Sequence, residues 1–276
     1  MAKACCLITG GAGFLGINLA RLLLSKGWSV RSLDMAAFDY PENDRINVIR
    51  GDIRDANVVN RAMADVAAVV HCAAALPLAG TTEILSTKID GTRLLLEAAW
   101  RHGVSRFVFV SSTAVYGIPD HHPIREDDQV NGVGAYGRAK IEAERLCADF
   151  SARGLCVTVL RPKTFVGPER LGVFELLYDW AFDGHGFPVL GNGNNLYQLL
   201  DVDDLCQVIL LCLTLEPSLV RDTFNVGAAQ VGTMRANFQA VLDRAGHGKQ
   251  VVGLPTRPIV LLLRVLEALK LSPLYR

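Results

Sequence analysis

Along the first 160 positions, short runs of β-branched and apolar residues alternate with longer segments whose apolar residues recur at helical spacing. The short runs predict strands over 5–9, 29–34, 46–50, 68–71, 107–111 and 156–160. Between them the periodicity predicts helices over 14–26, 57–63, 83–102 and 136–153. Gly27, Gly103 and Gly154 directly follow three of those helices, where a left-handed residue closes the last turn. Strand and helix in strict alternation give an α/β fold of Rossmann type, a doubly wound parallel sheet with crossover helices.

After Pro162 the regularity breaks, with turn residues at Gly167, Pro168, Gly184, Gly186, Pro188, Gly191 and Gly193. Helices are predicted there over 173–182, 203–214 and 233–245. The expected organisation is one large domain over 1–162 and a small lobe over 163–276 that carries substrate specificity. The apolar stretch 259–269 contains Arg264 and Glu267 and is too short to cross a bilayer, which takes about 20 residues. As a helix it groups Ile259, Leu262, Leu263, Leu266 and Leu269 on one side, facing the lobe or a partner subunit.

Charge narrows the partners. Lysine plus arginine and aspartate plus glutamate number 28 each, so no overall field draws the chain to nucleic acid or to an acidic membrane. The seven cysteines show no CxxC and no Cys/His ligand spacing, which points to reduced, buried thiols, no metal and a cytoplasmic location. Met1-Ala2-Lys3 runs directly into the first strand without the architecture of a secretory signal.

The chemistry concentrates at two places. Thr9-Gly10-Gly11-Ala12-Gly13-Phe14-Leu15-Gly16 follows the first strand and opens the first helix, with Gly10, Gly13 and Gly16 at three-residue spacing. Such a loop turns sharply, lets backbone approach a pyrophosphate, and presents helix N–H groups to it. Gly10, Gly13, Phe14, Leu15 and Gly16 are therefore expected at a dinucleotide. Asp34 ends the second strand, 18 residues after Gly16, where a carboxylate accepts both adenosine ribose hydroxyls and repels a 2′-phosphate. No arginine immediately follows it, which favours NAD over NADP.

The second place joins Ser111-Ser112-Thr113-Ala114-Val115-Tyr116, at the end of the fifth strand, to Tyr136-Gly137-Arg138-Ala139-Lys140. Four residues of helix put Tyr136 and Lys140 on one face. An ammonium there, together with a cofactor's positive nicotinamide, pulls a phenol down from about 10 toward working pH, and the Ser112 hydroxyl can hold the same substrate oxygen. Catalytic roles are thus expected for Ser112, Tyr136 and Lys140.

The full set, adding Gly51-Asp52-Ile53, His71-Cys72-Ala73-Ala74 and Arg161-Pro162, resembles the extended short-chain dehydrogenase/reductases, in particular the NAD-dependent epimerase/dehydratase family. The resemblance covers nearly the whole chain. It implies that Asp52 and Ile53 contact adenine, that Ala73 and Ala74 line the cofactor groove, that Tyr136 and Lys140 also bind the cofactor, Lys140 at the nicotinamide ribose, and that Tyr136 is the acid/base. It further implies substrate contacts at Ser112, Thr113 and Thr164, and a homodimer built through the helices 83–102 and 136–153.

Three positions depart from the family pattern. Lys88 stands where an Asn is usual, Thr164 where many epimerases have Asn, and 191–204 lacks the arginine that usually clamps a diphosphate. Lys163 or Arg170 is a candidate substitute for that arginine. The chain ends earlier than typical members, so its C-terminus is expected to be short. The Ser112 to Tyr116 stretch also lacks the Asp-Glu pair of the related 4,6-dehydratases. Three functions remain open: a sugar-nucleotide epimerase, a dehydrogenase or reductase of a steroid-like or terpenoid alcohol or ketone, and a non-catalytic NAD-sensing protein.

Overall fold

A computed structural model describes residues 4–73, 80–169 and 173–268. Its central feature is a seven-stranded sheet containing β1 (Cys5–Thr9), β2 (Ser29–Asp34), β3 (Asn47–Arg50), β4 (Ala68–His71), β5 (Arg106–Val110) and β6 (Val157–Pro162). The seventh strand is Thr223–Val226, and the spatial order runs from it through β6, β5, β4, β1 and β2 to β3. All pairs are parallel, with Cys6 opposite both Val30 and Ala68. The order reverses next to β1, whose carboxyl end is the place such sheets offer to a ligand.

The helices α1 (Phe14–Ser25), α2 (Ala56–Met63), α3 (Thr81–Leu85), α4 (Thr92–Arg101) and α5 (Gly134–Ala152) alternate with these strands. A strand covered on both faces sends successive residues into different layers. Cys6 and Ile8 of β1 join Ile17, Leu19 and Leu23 of α1 and Leu205 and Ile209 of the helix Val202–Thr214. Leu7 joins the opposite layer, with Met63 of α2, Leu95 and Leu96 of α4, and Leu146 and Phe150 of α5. Gly27, Gly103 and Gly154 take positive φ after α1, α4 and α5, as the helix ends require.

Two departures from the sequence reading have physical causes. The helix expected over 83–102 starts at Thr81 and contains a π-turn, Ser86–Gly91, between α3 and α4. A π-turn inserts an extra residue and re-aims side chains. Here it accompanies burial of Lys88, which is 2 % exposed, and close packing of Gly91, where a Cβ would lie 2.6 Å from Ile53 Cδ1.

The second departure concerns the division of the chain. One compact unit comprises Met1–Pro168 and Leu200–Gly227, the other Glu169–Leu199 and Ala228–Arg276. The segment 200–227 therefore returns to the first unit instead of staying in the lobe. Its helix buries Leu205, Cys206 and Ile209 in the α1 layer, and its strand completes the sheet beside β6.

In the second unit Phe187–Leu190 pairs with Val251–Leu254, and Leu196–Tyr197 with Gly232–Thr233. Phe174, Phe187, Tyr197 and Phe238 meet edge to face around the helices Val173–Phe182 and Met234–Ala245. Phe174 and Leu177 are core here, whereas Leu176, Trp180 and Phe182 are exposed. A further helix covers Thr256–Ala268, with Ile259 and Leu266 half-buried. Leu269, like Arg170, lies outside the described residues, and so do the side chains of Leu262 and Leu263. Among the described residues no helix is long and apolar enough to cross a membrane. None of their His, Cys, Asp and Glu side chains gather into a group able to hold a metal, and all seven cysteines are free thiols.

Candidate active site

The glycine loop is held by contacts that leave no room for side chains at two of its three positions. Gly10 has φ +71°, and a Cβ on it would lie 2.7 Å from the backbone nitrogen of Ala73. A Cβ on Gly16 would stand 2.3 Å from the Gly10 carbonyl oxygen, so this glycine lets α1 pack on the loop. Gly13 differs, because its Cβ would meet only that same oxygen, at 3.3 Å. Its free side is where a phosphate can approach the start of α1.

A cavity of about 290 Å³ opens beside the loop, lined by Gly10, Gly13, Asp34, Asp52, Ile53 and Ala73, with Glu83 and Thr87 from the α3 side. Asp34 is fixed there by the backbone N–H groups of Ala12 and Ala36, each at 3.0 Å. Each of its oxygens keeps acceptor capacity for a ribose hydroxyl. Glycine backbone, an open helix start and an oriented carboxylate in one groove fit a dinucleotide. Phe14 and Leu15 open α1, Phe14 stacking on Phe165 at 5.4 Å and Leu15 turning into the core. Ala74 lies outside the described residues.

Asp52 lines the groove, but both its oxygens are engaged by the Arg54 guanidinium at 2.6 to 3.0 Å. That pairing holds its carboxyl below the usual range. Arg54 also donates to Ser86, tying the loop after β3 to the π-turn. Ile53 is 4 % exposed and packs toward Gly91.

Replacing Asp34 with Ser should weaken NAD binding by about tenfold or more and let NADP bind, since both the ribose acceptor and the charge that repels a 2′-phosphate are removed. Calorimetric titration with the two cofactors checks this, and unchanged preference would remove Asp34 from the recognition of the ribose.

Ser112 follows β5 and caps the single turn Thr113–Tyr116, its Oγ accepting from the Ala114 N–H at 3.2 Å. Its hydroxyl acts on the phenol of Tyr136 in the sense that favours ionisation. Burial acts in the opposite sense and wins, so in the protein alone the phenol is raised above its ordinary value. The lowering expected from the sequence counts the charge of the nicotinamide as well as Lys140; among the protein's own groups desolvation, which disfavours the phenolate, is the larger effect. Lys140 is 3 % exposed, donates to the Val110 carbonyl at 2.6 Å, and is brought down to about 8 by burial. It therefore remains mostly an ammonium at neutral pH.

Thr113 Oγ1 lies 3.5 Å from the Pro162 carbonyl, and the Thr164 carbonyl accepts from the Leu200 N–H at 2.9 Å. Behind the site, Arg161 clasps Glu144, and Glu144 also accepts from Ser111 at 2.5 Å. This buried ion pair ties the end of β6 to α5, the helix that carries Tyr136 and Lys140.

Sequence reasoning missed a polar chain under the groove. Thr92 Oγ1 donates to the Lys88 carbonyl at 2.6 Å, so it accepts from His71 Nε2 at 2.9 Å. His71 Nδ1 then accepts from Thr9 Oγ1 at 2.7 Å, and Thr9 faces the Ala73 N–H at 3.5 Å. Burial, with Lys140 and Lys88 nearby, keeps this imidazole neutral, well below its usual value. The available signal was a threonine ending the buried strand β1 and a histidine ending β4.

Comparison with known proteins agrees with this geometry. The model of the NAD dependent epimerase/dehydratase family matches residues 6–227. The uncharacterised protein y4nG of Sinorhizobium fredii is 36% identical over 272 residues, covering 97% of this chain and 67% of that protein. A dTDP-glucose 4,6-dehydratase of Streptomyces antibioticus is 31% identical over 267 residues, 89% of this chain and 78% of that one. The solved UDP-glucose 4-epimerase of Thermotoga maritima, with UDP-glucose, superposes with a TM-score of 0.82 at 26% identity, covering 91% of this chain and 85% of that one. With a glycine cradle and an oriented carboxylate in the matched region, the chain belongs to the NAD-dependent epimerase/dehydratase family of the extended short-chain dehydrogenase/reductases, and its cofactor is NAD.

Proposed function

We propose that this enzyme epimerises a sugar nucleotide by oxidising and re-reducing one carbon, with Tyr136 as the acid/base. The observation that carries the reading is the placement of Ser112 at the end of β5, where it acts on the Tyr136 phenol, together with Lys140 buried one helical turn from that tyrosine. Tyr136 Oη takes the proton of the substrate hydroxyl as the carbon is oxidised, and returns it when the opposite face is reduced. Ser112 Oγ donates to the same oxygen, and the Lys140 ammonium favours the phenolate. NAD, when bound, supplies the acceptor of the hydride and gives it back.

Ser112, Thr113 and Thr164 are the residues assigned to substrate, and the second unit to its specificity. Dehydration is disfavoured because the turn Thr113–Tyr116 carries no carboxyl group to remove a proton and a hydroxyl. The reading includes a homodimer through the outer faces of α4 and α5, where Trp100 remains 46 % exposed.

A second reading, a dehydrogenase or reductase of a non-nucleotide alcohol or ketone, is favoured by the exposed Leu176, Trp180 and Phe182 and by the absence of arginine from 191–204. Incubation of the NAD-loaded enzyme with UDP-, dTDP- and GDP-sugars and with simple alcohols separates the two. Epimer interconversion without accumulating NADH is expected. Stoichiometric NADH from an alcohol lacking a diphosphate, with every sugar nucleotide inert, would establish the second reading instead.

A further inference from the structure

Under the phenol lies a second amine that the reading above does not use. Lys88, on the π-turn before α4, is 2 % exposed, and its Nζ sits 4.0 Å from the ring centroid of Tyr136. That nitrogen has no hydrogen-bond partner among the described residues. A lysine so fully buried ordinarily requires an anion or several acceptors. The aromatic ring is the group the structure offers it.

The titratable groups facing this amine are Tyr136 and Lys140 on α5 and His71 on β4. His71, hydrogen-bonded on both sides, is kept neutral by burial and the neighbouring amines. Glu144 and the thiols of Cys72 and Cys147 act on Lys140, and Glu144 is already engaged by Arg161. While the phenol keeps its proton, two neighbouring ammonium groups without an anion are strongly disfavoured. Lys140 holds its charge through the Val110 carbonyl, so Lys88 is the one that gives way. Burial and the Lys140 charge bring it down to about 6.

Ionisation of the phenol changes that balance. A phenolate ring is richer in electrons than a phenol ring, and a cation over its face is attracted more strongly. With an anion beside them, both amines can carry protons, and the cluster holds one net positive charge either way.

We propose that Lys88 is a positioning residue acting through Tyr136: its ammonium form over the ring holds the phenolate, and its neutral form accompanies the phenol. Ionising Tyr136 while Lys88 gains a proton changes neither the net charge nor the proton count of this buried cluster. Phenolate is therefore reached at lower pH than burial alone permits. The inference rests on the reading of Tyr136 as the acid/base.

The test is the near-ultraviolet absorbance of tyrosinate in the NAD-loaded enzyme against pH, with the Y136F trace subtracted, compared between the parent, K88M and K88Q. Methionine keeps the volume and removes the amine, and glutamine serves if K88M does not fold. Loss of the amine should raise the midpoint of Tyr136 ionisation by about one pH unit or more. The acid limb of kcat/KM should move up by the same amount, with little change in KM. An unchanged or lower midpoint in a folded variant overturns the proposal. Full activity in Y136F would instead overturn the acid/base reading, while the absorbance still reports on Lys88.

Discussion

Turnover by Tyr136→Phe is expected to fall by about a thousandfold, with NAD affinity unchanged. The size follows from what a positioned acid/base contributes, about a hundredfold to ten-thousandfold. The sparing of NAD follows from place, since the adenosine end is assigned to the glycine loop and Asp34, whose groove is lined without Tyr136. The phenylalanine ring still fills the space above Lys88. Steady-state rates and a cofactor titration check both halves. A rate within about tenfold of the parent would remove Tyr136 from the proton path.

The second large effect is structural. Gly16→Ala places a methyl 2.3 Å from the Gly10 oxygen and 2.6 Å from Gly11 Cα, both backbone atoms that cannot swing aside. The loop must open or α1 must lift from β1. A loss of about 3 kcal/mol or more is expected, as for other overpacked sites, with a fall in Tm of roughly 6–12 °C and loss of NAD binding. Gly13→Ala is the informative contrast, because its one neighbour lies at 3.3 Å. That variant should melt near the parent temperature while binding NAD at least about tenfold more weakly, since a methyl then occupies the face offered to the pyrophosphate. Thermal melts and NAD titrations of the two variants check the pair. Equal melting temperatures for both would show that Gly16 is not needed for packing.

The sheet was legible because its strands are covered on both faces, which leaves near-continuous apolar runs such as Cys6-Leu7-Ile8 and Ala68-Val69-Val70 between turn residues. Ends of elements were less so: β6 begins at Val157 and runs through Pro162, because hydrogen bonds across the sheet decide where a strand stops. The glycine loop with Asp34, and Ser112 with Tyr136 and Lys140, were legible as candidates because the first set follows a strand–loop–helix–strand spacing and Tyr136 and Lys140 lie one helical turn apart. The π-turn was not, since the apolar period of 83–102 runs through it unbroken.

Lys88 stood out only as a departure from a family pattern. Burying a lysine without a partner contradicts what composition teaches about lysines, and only three-dimensional packing against Tyr136 reveals it. Arg54 escaped notice for a related reason: its tie to Asp52 and Ser86 joins the loop after β3 to the distant π-turn. The return of 200–227 to the first unit was likewise hidden, because a helix and a strand after a loop-rich stretch look the same in sequence whichever body they join.

That return has a consequence for how the protein is made. The strand Thr223–Val226 supplies the hydrogen-bonding neighbour on the outer side of β6, so the sheet is complete only when residue 226 is available. On a ribosome, β6 emerges well before it, and for that interval Val159 to Pro162 present an open row of amides and carbonyls, the template on which foreign strands add. A nascent chain stalled between Pro162 and Thr223 is therefore adhesive in a way the finished one is not, and chaperone engagement is most needed in that window.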